Sequence, residues 1–333
     1  MISCLRRAGV EVVERNEPVW DERHTWSAGF QAVPRLMCAE VRLLRPLPER
    51  PDAVIVGYPG HVDVLAARRA ARGAPVVFNP LVSLFDTLVA DRGRFRPGSP
   101  AARLLRLVDR LALRSADLVV ADTEIHADFL ARLAGIPRQR VAVCFVGAEE
   151  RLFSPGWKPS AAPLFVGKLI PLHGLETILA AARLATDLHI RIVGSGQLEP
   201  LLSVRPPNVD WIPWVPYERL AGEFRRAACA LGIFGSSDKA ARVIPNKAFQ
   251  ALACGTPLVT ADTPAARELL VDGESALLVP AGDPDALASA LRRLAHEPGL
   301  AQKLSKGGLA AYRVHASEQV LGLRWRGLLE RLL

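Results

Sequence analysis

Two stretches of the 333-residue chain combine side chains able to hold an anion with a backbone able to present them. In "FVGKLIPLHGLETILAAARL" an apolar strand runs through a glycine-containing turn into a helix opened by Gly174 and Leu175, and Gly167, Lys168 and His173 border that turn. At the C-terminal end of a parallel strand, backbone N–H groups, the helix dipole and a lysine together suit a diphosphate. A solvated loop position accounts for Lys168 equally well. In "RVIPNKAFQALACGTPLV", Pro245 suits the first helical position, because its ring presets φ and its missing N–H is not required there. Ile244 before it has no side-chain acceptor, so the first N–H groups of this helix need water or a ligand. An anion there gains roughly 0.3–1 kcal/mol from the dipole at an exposed site. Asn246 and Lys247 open the first turn, and Lys247 and Gln250, spaced i and i+3, share a face. Ala248, Phe249, Leu252 and Ala253 form the packing surface. An ordinary wet face is the competing account of Lys247 and Gln250. In "IVGSGQLEPLL", Gly194 and Gly196 lack a third glycine, and close packing at a strand end explains them.

The elements that must position these residues alternate short β-branched runs with helical patterns, which predicts parallel α/β sheets. Strands are expected at "VEVVE", "DAVIVGY", "APVVFN", "ADLVVAD" and "RVAVCFVG", then, after a Pro/Gly/Ser/Ala linker at "FSPGWKPSAAP", at "PLFVGKL", "HIRIVGSG", "VDWIPW", "ACALGIFG", "TPLVTAD" and "SALLVP". This divides the chain into residues 1–154, residues 155–316 and an amphipathic terminal helix, residues 317–333, able to cross back to the first domain. A doubly wound domain opens with a strand and a glycine-rich turn, whereas Met1 is followed by the helix-like "ISCLRRAG". The expectation is that the first strand of the N-terminal domain is missing, the true start lying upstream.

Half of the residues are hydrophobic, enough for each domain to bury its own core. The five cysteines, at 4, 38, 144, 229 and 254, have no metal-binding spacing and read as reduced thiols of a cytosolic protein. No run reaches the roughly 18 apolar residues of a membrane span. A formal charge of +8 favours anionic partners. Against nucleic acid stand a low aromatic content, 6%, and arginines scattered over amphipathic helices. In "RGRFRPGSPAARLLRLVDRLALRSAD", Arg103, Arg106, Arg110 and Arg114 fall at helical spacing opposite Leu104, Leu105, Val108 and Leu111, after Arg92, Arg94 and Arg96. A basic helix over 100–115 suits either an anionic membrane surface or a core-facing helix with a solvated basic face.

Together, "FVGKLIPLHGLETIL", "IVGSGQLEPLL" and "RVIPNKAFQALACGTPLVTADTPAARELLVDGESALLVPAGDPDALASAL" resemble the C-terminal domain of family 4 glycosyltransferases, and the first half, ending "VGAEERLFSP", is similar to their looser N-terminal domain. The resemblance implies a GT-B fold, two Rossmann-like doubly wound domains facing across a cleft. It implies a nucleotide-diphosphate sugar held mainly by the second domain, retention of anomeric configuration, and no metal or cofactor. Lys168 and His173 stand at the family's diphosphate-binding basic pair. Trp214 and Val215 match the loop bordering the nucleobase. The family's E-x7-E motif falls on Arg242 and Gln250: Gln250 would take the ribose hydroxyls, Arg242 would help neutralise the leaving diphosphate, and Lys247 of the "PNK" element would add a phosphate contact. Acceptor activation would belong to the first domain, where His61, in "YPGHVDVL", and Asp86, in "LVSLFDTLV", stand at strand ends. Each is also explained as starting or capping a helix. The function expected is transfer of a sugar to a glycan or lipid-linked acceptor, in the cytoplasm or at the inner membrane face, with a non-catalytic GT-B homologue or a sugar-nucleotide epimerase as the alternatives.

Overall fold

A computed structural model describes residues 1–17, 19, 33–45 and 49–333. Its strands are short, apolar on both faces and β-branched, the composition of parallel strands covered on both sides. The first sheet runs in chain order, β1 (Val54–Val56), β2 (Val76–Phe78), β3 (Leu118–Ala121) and β4 (Val141–Val143), all parallel. Its helices are α1 (Ile2–Arg7), α2 (Val33–Leu43), α3 (Asp63–Ala70), α4 (Pro100–Ser115) and α5 (Glu124–Ala134), with a π-helical turn at Asp86–Asp91. The second sheet comprises β5 (Leu164–Val166), β6 (Ile190–Val193), β7 (Val209–Ile212), β8 (Ala230–Leu231), β9 (Leu258–Ala261) and β10 (Leu277–Val279), in the order β10-β9-β8-β5-β6-β7. Around it lie α6 (Leu175–Leu184), α7 (Tyr217–Arg226), α8 (Asn246–Cys254), α9 (Pro264–Arg267), α10 (Pro284–His296) and α11 (Leu300–His315). The last helix, α12 (Glu318–Glu330), returns to the first domain.

In the second sheet the chain reverses its direction of winding between β5 and β8, so the strand ends at this point diverge into a crevice where doubly wound sheets bind ligands. Both segments singled out by their chemistry lie here: the turn after β5 and the start of α8. The first domain's sheet is covered on one face by α3, α4 and α5 and on the other by α1 and α12, whose Leu321, Trp325 and Leu328 pack on Cys4, Leu5, Val77 and Val120. Gly322 makes the α1–α12 crossing close, since a methyl group there would strike the Cys4 carbonyl oxygen. Arg7 joins the same seam through Glu150 (2.5 Å) and Glu318 (3.5 Å).

Two expectations are corrected. "VEVVE" forms no strand: Val10 and Val12 pack against the α1–α12 layer and Val13 is exposed, so burial on helices satisfies the alternation without strand pairing. Among the described residues before 54 there are helices and no strand. In α4 the inward face consists of Ala102, Asp109, Ala112 and Leu113. Asp109 is drawn inside by donors from Ser83 Oγ (2.7 Å) and the Leu84 and Phe85 amides (2.9 Å each). This rotates Leu104, Leu107 and Leu111 outward among the arginines. Arg110 and Arg114 donate to the Leu133 and Ala134 carbonyls at the end of α5 (2.9 and 2.6 Å), favourable for cations at a helix C-terminus.

Candidate active site

Pro245 is the N-cap of α8 and the helix begins at Asn246, one residue later than the proline rule suggested. No side chain among the described residues caps it, so its first amides are left for water or a ligand. Lys247, on the first turn, points inward: its Nζ lies 3.5 Å from the centroid of the Phe165 ring on β5, is buried, and has no hydrogen-bond partner among the described residues. An ammonium enclosed this way has lost its water and gained only a ring face, worth roughly 2 kcal/mol when desolvated. Burial accordingly holds Lys247 well below the usual lysine range.

His173 closes the other side. Its Nδ1 donates to the Lys168 carbonyl, its ring meets Phe165 edge-on with centroids 5.6 Å apart, and its pKa is pushed well down by burial and, secondarily, by Lys247. With Nδ1 carrying the proton, Nε2 is left as the basic nitrogen. Gly167 forms the floor: a methyl group there would stand 3.2 Å from His173 Cε1 and 3.3 Å from Lys247 Nζ. Gly174, at φ 67°, presses the turn onto the end of β8, where a methyl group would come within 2.5 Å of the Phe234 carbonyl carbon. Gly167, His173, Gly174 and Lys247 thus share one small site with the open start of α8. Burial lowers the pKa of both nitrogens, and an anion facing them would raise it.

This gives a pH dependence of definite sign. In the free protein both pKa values are lowered, and a bound diphosphate raises them, so the complex holds more protons than the free protein. Affinity for a diphosphate therefore rises as pH falls, until the free groups protonate. Calorimetric titration in buffers of different ionisation enthalpy is expected to show net proton uptake on binding.

The other residues are distributed around the site. Lys168 is exposed on the turn. Gln250, one turn along α8, lies beside Tyr217. Trp214 is 72% exposed after β7, whereas Val215 packs into the core beside α7. Arg242 turns towards the first domain, its Nη2 lying 2.8 Å from Asp86 Oδ1. His61 is buried, with Nδ1 2.9 Å from the Pro59 carbonyl oxygen and Nε2 3.2 Å from Asp109 Oδ1. Both ring nitrogens of His61 face acceptors inside the domain, and the Asp86 carboxylate pairs with the Arg242 guanidinium. A cavity of about 590 Å³ between the linker and α7 contains none of these residues.

Comparison with known proteins matches this architecture. Residues 162–297 fit the family described as "Glycosyl transferases group 1", and residues 2–147 the "Glycosyl transferase 4-like domain". The chain belongs to the group 1 glycosyltransferases. Among curated members of this family, it is 32% identical over 308 residues to D-inositol 3-phosphate glycosyltransferase of Acidothermus cellulolyticus, covering 82% of this chain and 66% of that protein. It is 30% identical over 279 residues to the protein of the same name from Streptomyces bingchenggensis, covering 74% and 59%. The chain thus spans about three fifths to two thirds of the length of these relatives. Two solved structures share the fold. Sucrose-phosphate synthase from Thermosynechococcus elongatus superposes with a TM-score of 0.71 at 18% identity, covering 91% of this chain and 78% of that one. Anabaena HepE in complex with UDP-glucose superposes at 0.67 and 14%, covering 90% and 82%. The two domains of this group 1 glycosyltransferase therefore form a GT-B fold.

Sequence reasoning missed several groups at the domain seam. Lys239 Nζ donates to Thr87 Oγ1 (2.8 Å), and the Glu268 carboxylate accepts from the Glu124 and Ile125 amides at the start of α5 (2.8 and 3.1 Å). None lies in a periodic pattern, and each partner is more than 140 positions away, so no local signal marks them.

Proposed function

We propose that the chain is a retaining glycosyltransferase that takes its sugar from a nucleoside-diphosphate sugar and passes it to a glycan or lipid-linked acceptor. The observation that carries this reading is the buried, unpartnered Lys247 ammonium beside His173, Gly167 and the uncapped start of α8. Breaking the sugar–phosphate bond builds negative charge on the leaving diphosphate, and preorganised donors in a dry site stabilise developing charge most effectively. Lys247, His173 and the α8 amides supply them, with exposed Lys168 at the rim. Gln250 is assigned to the ribose, and Trp214 and Val215 to the border of the nucleobase. UDP is the first nucleotide to test, because HepE is described in complex with UDP-glucose.

The acceptor enters over the first domain. No described helix is long and apolar enough to cross a membrane. The outer face of α4, with exposed Leu104, Leu107 and Leu111 beside Arg103 and Arg106, is assigned to peripheral contact with an anionic cytoplasmic lipid surface. One experiment covers both assignments: release of nucleoside diphosphate from a panel of nucleotide sugars, with and without vesicles rich in acidic phospholipid. Slow release from at least one donor, together with salt-sensitive sedimentation with the vesicles, is expected. No release from any donor under either condition sinks the enzymatic reading, and absence of sedimentation sinks the membrane contact.

A further inference from the structure

We propose that Asp86 is a positioning residue that acts from the first domain through Arg242 to set the start of α8. The proposal rests on the reading of the Lys247 site as the donor diphosphate subsite. Asp86 opens the π-helical turn after β2, and Arg242 ends a short helical turn four residues before α8. Their side chains meet at 2.8 Å, with only 9% and 12% of their surfaces exposed. The same guanidinium lies 4.1 Å from the centroid of the Phe129 ring on α5, and the Arg242 carbonyl accepts from Thr123 Oγ1 at 2.6 Å. Arg242 is therefore gripped by the first domain through charge, ring face and backbone. Between it and Lys247 lie only four residues, including Pro245 at φ −72°, so a displacement of Arg242 carries into the first turn of α8.

The buried pairing with Asp86 supports this assignment over a phosphate-binding role for Arg242. Lys239 Nζ stands 3.8 Å from Asp91 Oδ2, so two carboxylates, Asp86 and Asp91, face two cations, Lys239 and Arg242. Arg92 adds a further cation near Asp91, and removing one member of the buried Asp86–Arg242 pair strands its partner. Asp86 holds the Nη2 end of the Arg242 guanidinium, and the diphosphate is assigned to Lys247, His173 and the α8 amides.

The test is a charge-reversal cycle in the full chain, with UDP as the probe and small-angle scattering as an independent readout. Asp86→Arg and Arg242→Asp are each expected to weaken UDP binding at least tenfold and to enlarge the radius of gyration. The double variant Asp86→Arg/Arg242→Asp is expected to return to within about threefold of the parent and to its radius. If the reversals do not fold, Asp86→Asn, of equal size and uncharged, is expected to weaken UDP binding severalfold with its helical content unchanged. Parent-like single variants, or a double variant no better than the worse single, overturn the proposal, as does a parent-like Asp86→Asn. If the parent itself binds no nucleotide, it is the donor-site reading that fails. The scattering cycle then decides the seam contact alone, with no recovery of the radius counting against it.

Discussion

Lys247→Met is expected to make the protein more stable and less active at once. The thioether keeps the length and fills the space against Phe165, while the buried nitrogen that has no partner disappears. An unsatisfied buried polar group costs on the order of 1–3 kcal/mol, so the substitution should gain stability of that order. The gain has its own pH signature. A lysine held below its unfolded pKa of about 10.4 costs stability at all lower pH values, and that cost fades as pH rises towards the unfolded value. The advantage of Lys247→Met is therefore expected to shrink as pH rises towards the unfolded value, as read by urea unfolding at two pH values. In turnover the sign reverses. Loss of one preorganised donor to a developing anion costs about 10²–10³ in rate, and donor cleavage should fall by that factor. A lysine that merely fills core would give the stability gain without the loss of turnover.

Gly194→Ala is expected to damage the site from a distance by damaging the fold. Gly194 follows β6 at φ 146°, and a methyl group there would collide with the carbonyl oxygen of Gly167, the floor of the site. Neither partner can swing away, because both atoms belong to backbone in adjacent strand ends that are hydrogen-bonded to each other: the Gly167 amide donates to the Val193 carbonyl at 3.0 Å. Overpacking and backbone strain each cost about 1–3 kcal/mol, which together predict a loss of about 3 kcal/mol or more in urea unfolding. Gly222→Ala provides the contrast. It lies within α7, where a methyl group meets nothing within 4 Å, and should gain about 0.5–1 kcal/mol from the better helix former. Equal responses of the two variants would contradict the close contact between the β5 and β6 ends.

Much of this architecture is legible in the chain because parallel strands and glycine turns leave local marks. "PLFVGKL" and "TPLVTAD" are continuous apolar runs ended by turn residues, and they are β5 and β9. The start of α8 is marked by a proline after an apolar residue without a capping side chain. What the chain hides is whatever depends on a distant partner. The alternation of "VEVVE" is genuine, but its inward side meets helices. The rotation of α4 is set by donors at 83–85 seeking Asp109, a pairing invisible to a helical-period count. The sequence places Lys247 on the first turn of α8, but its burial over Phe165 is not legible there, since that contact spans 82 positions of chain. Arg242 carried the deepest ambiguity, because only the fold shows that a carboxylate from the other domain occupies it.

The central claim is that the buried amine of Lys247 awaits the diphosphate of a nucleotide. It is tested most directly by calorimetric titration of UDP into the parent and into Lys247→Met at neutral pH. Binding by the parent with net proton uptake, and at least tenfold weaker binding by the more stable variant, is the predicted result. Equal affinity in the two proteins, or binding by the parent without proton uptake, would contradict it.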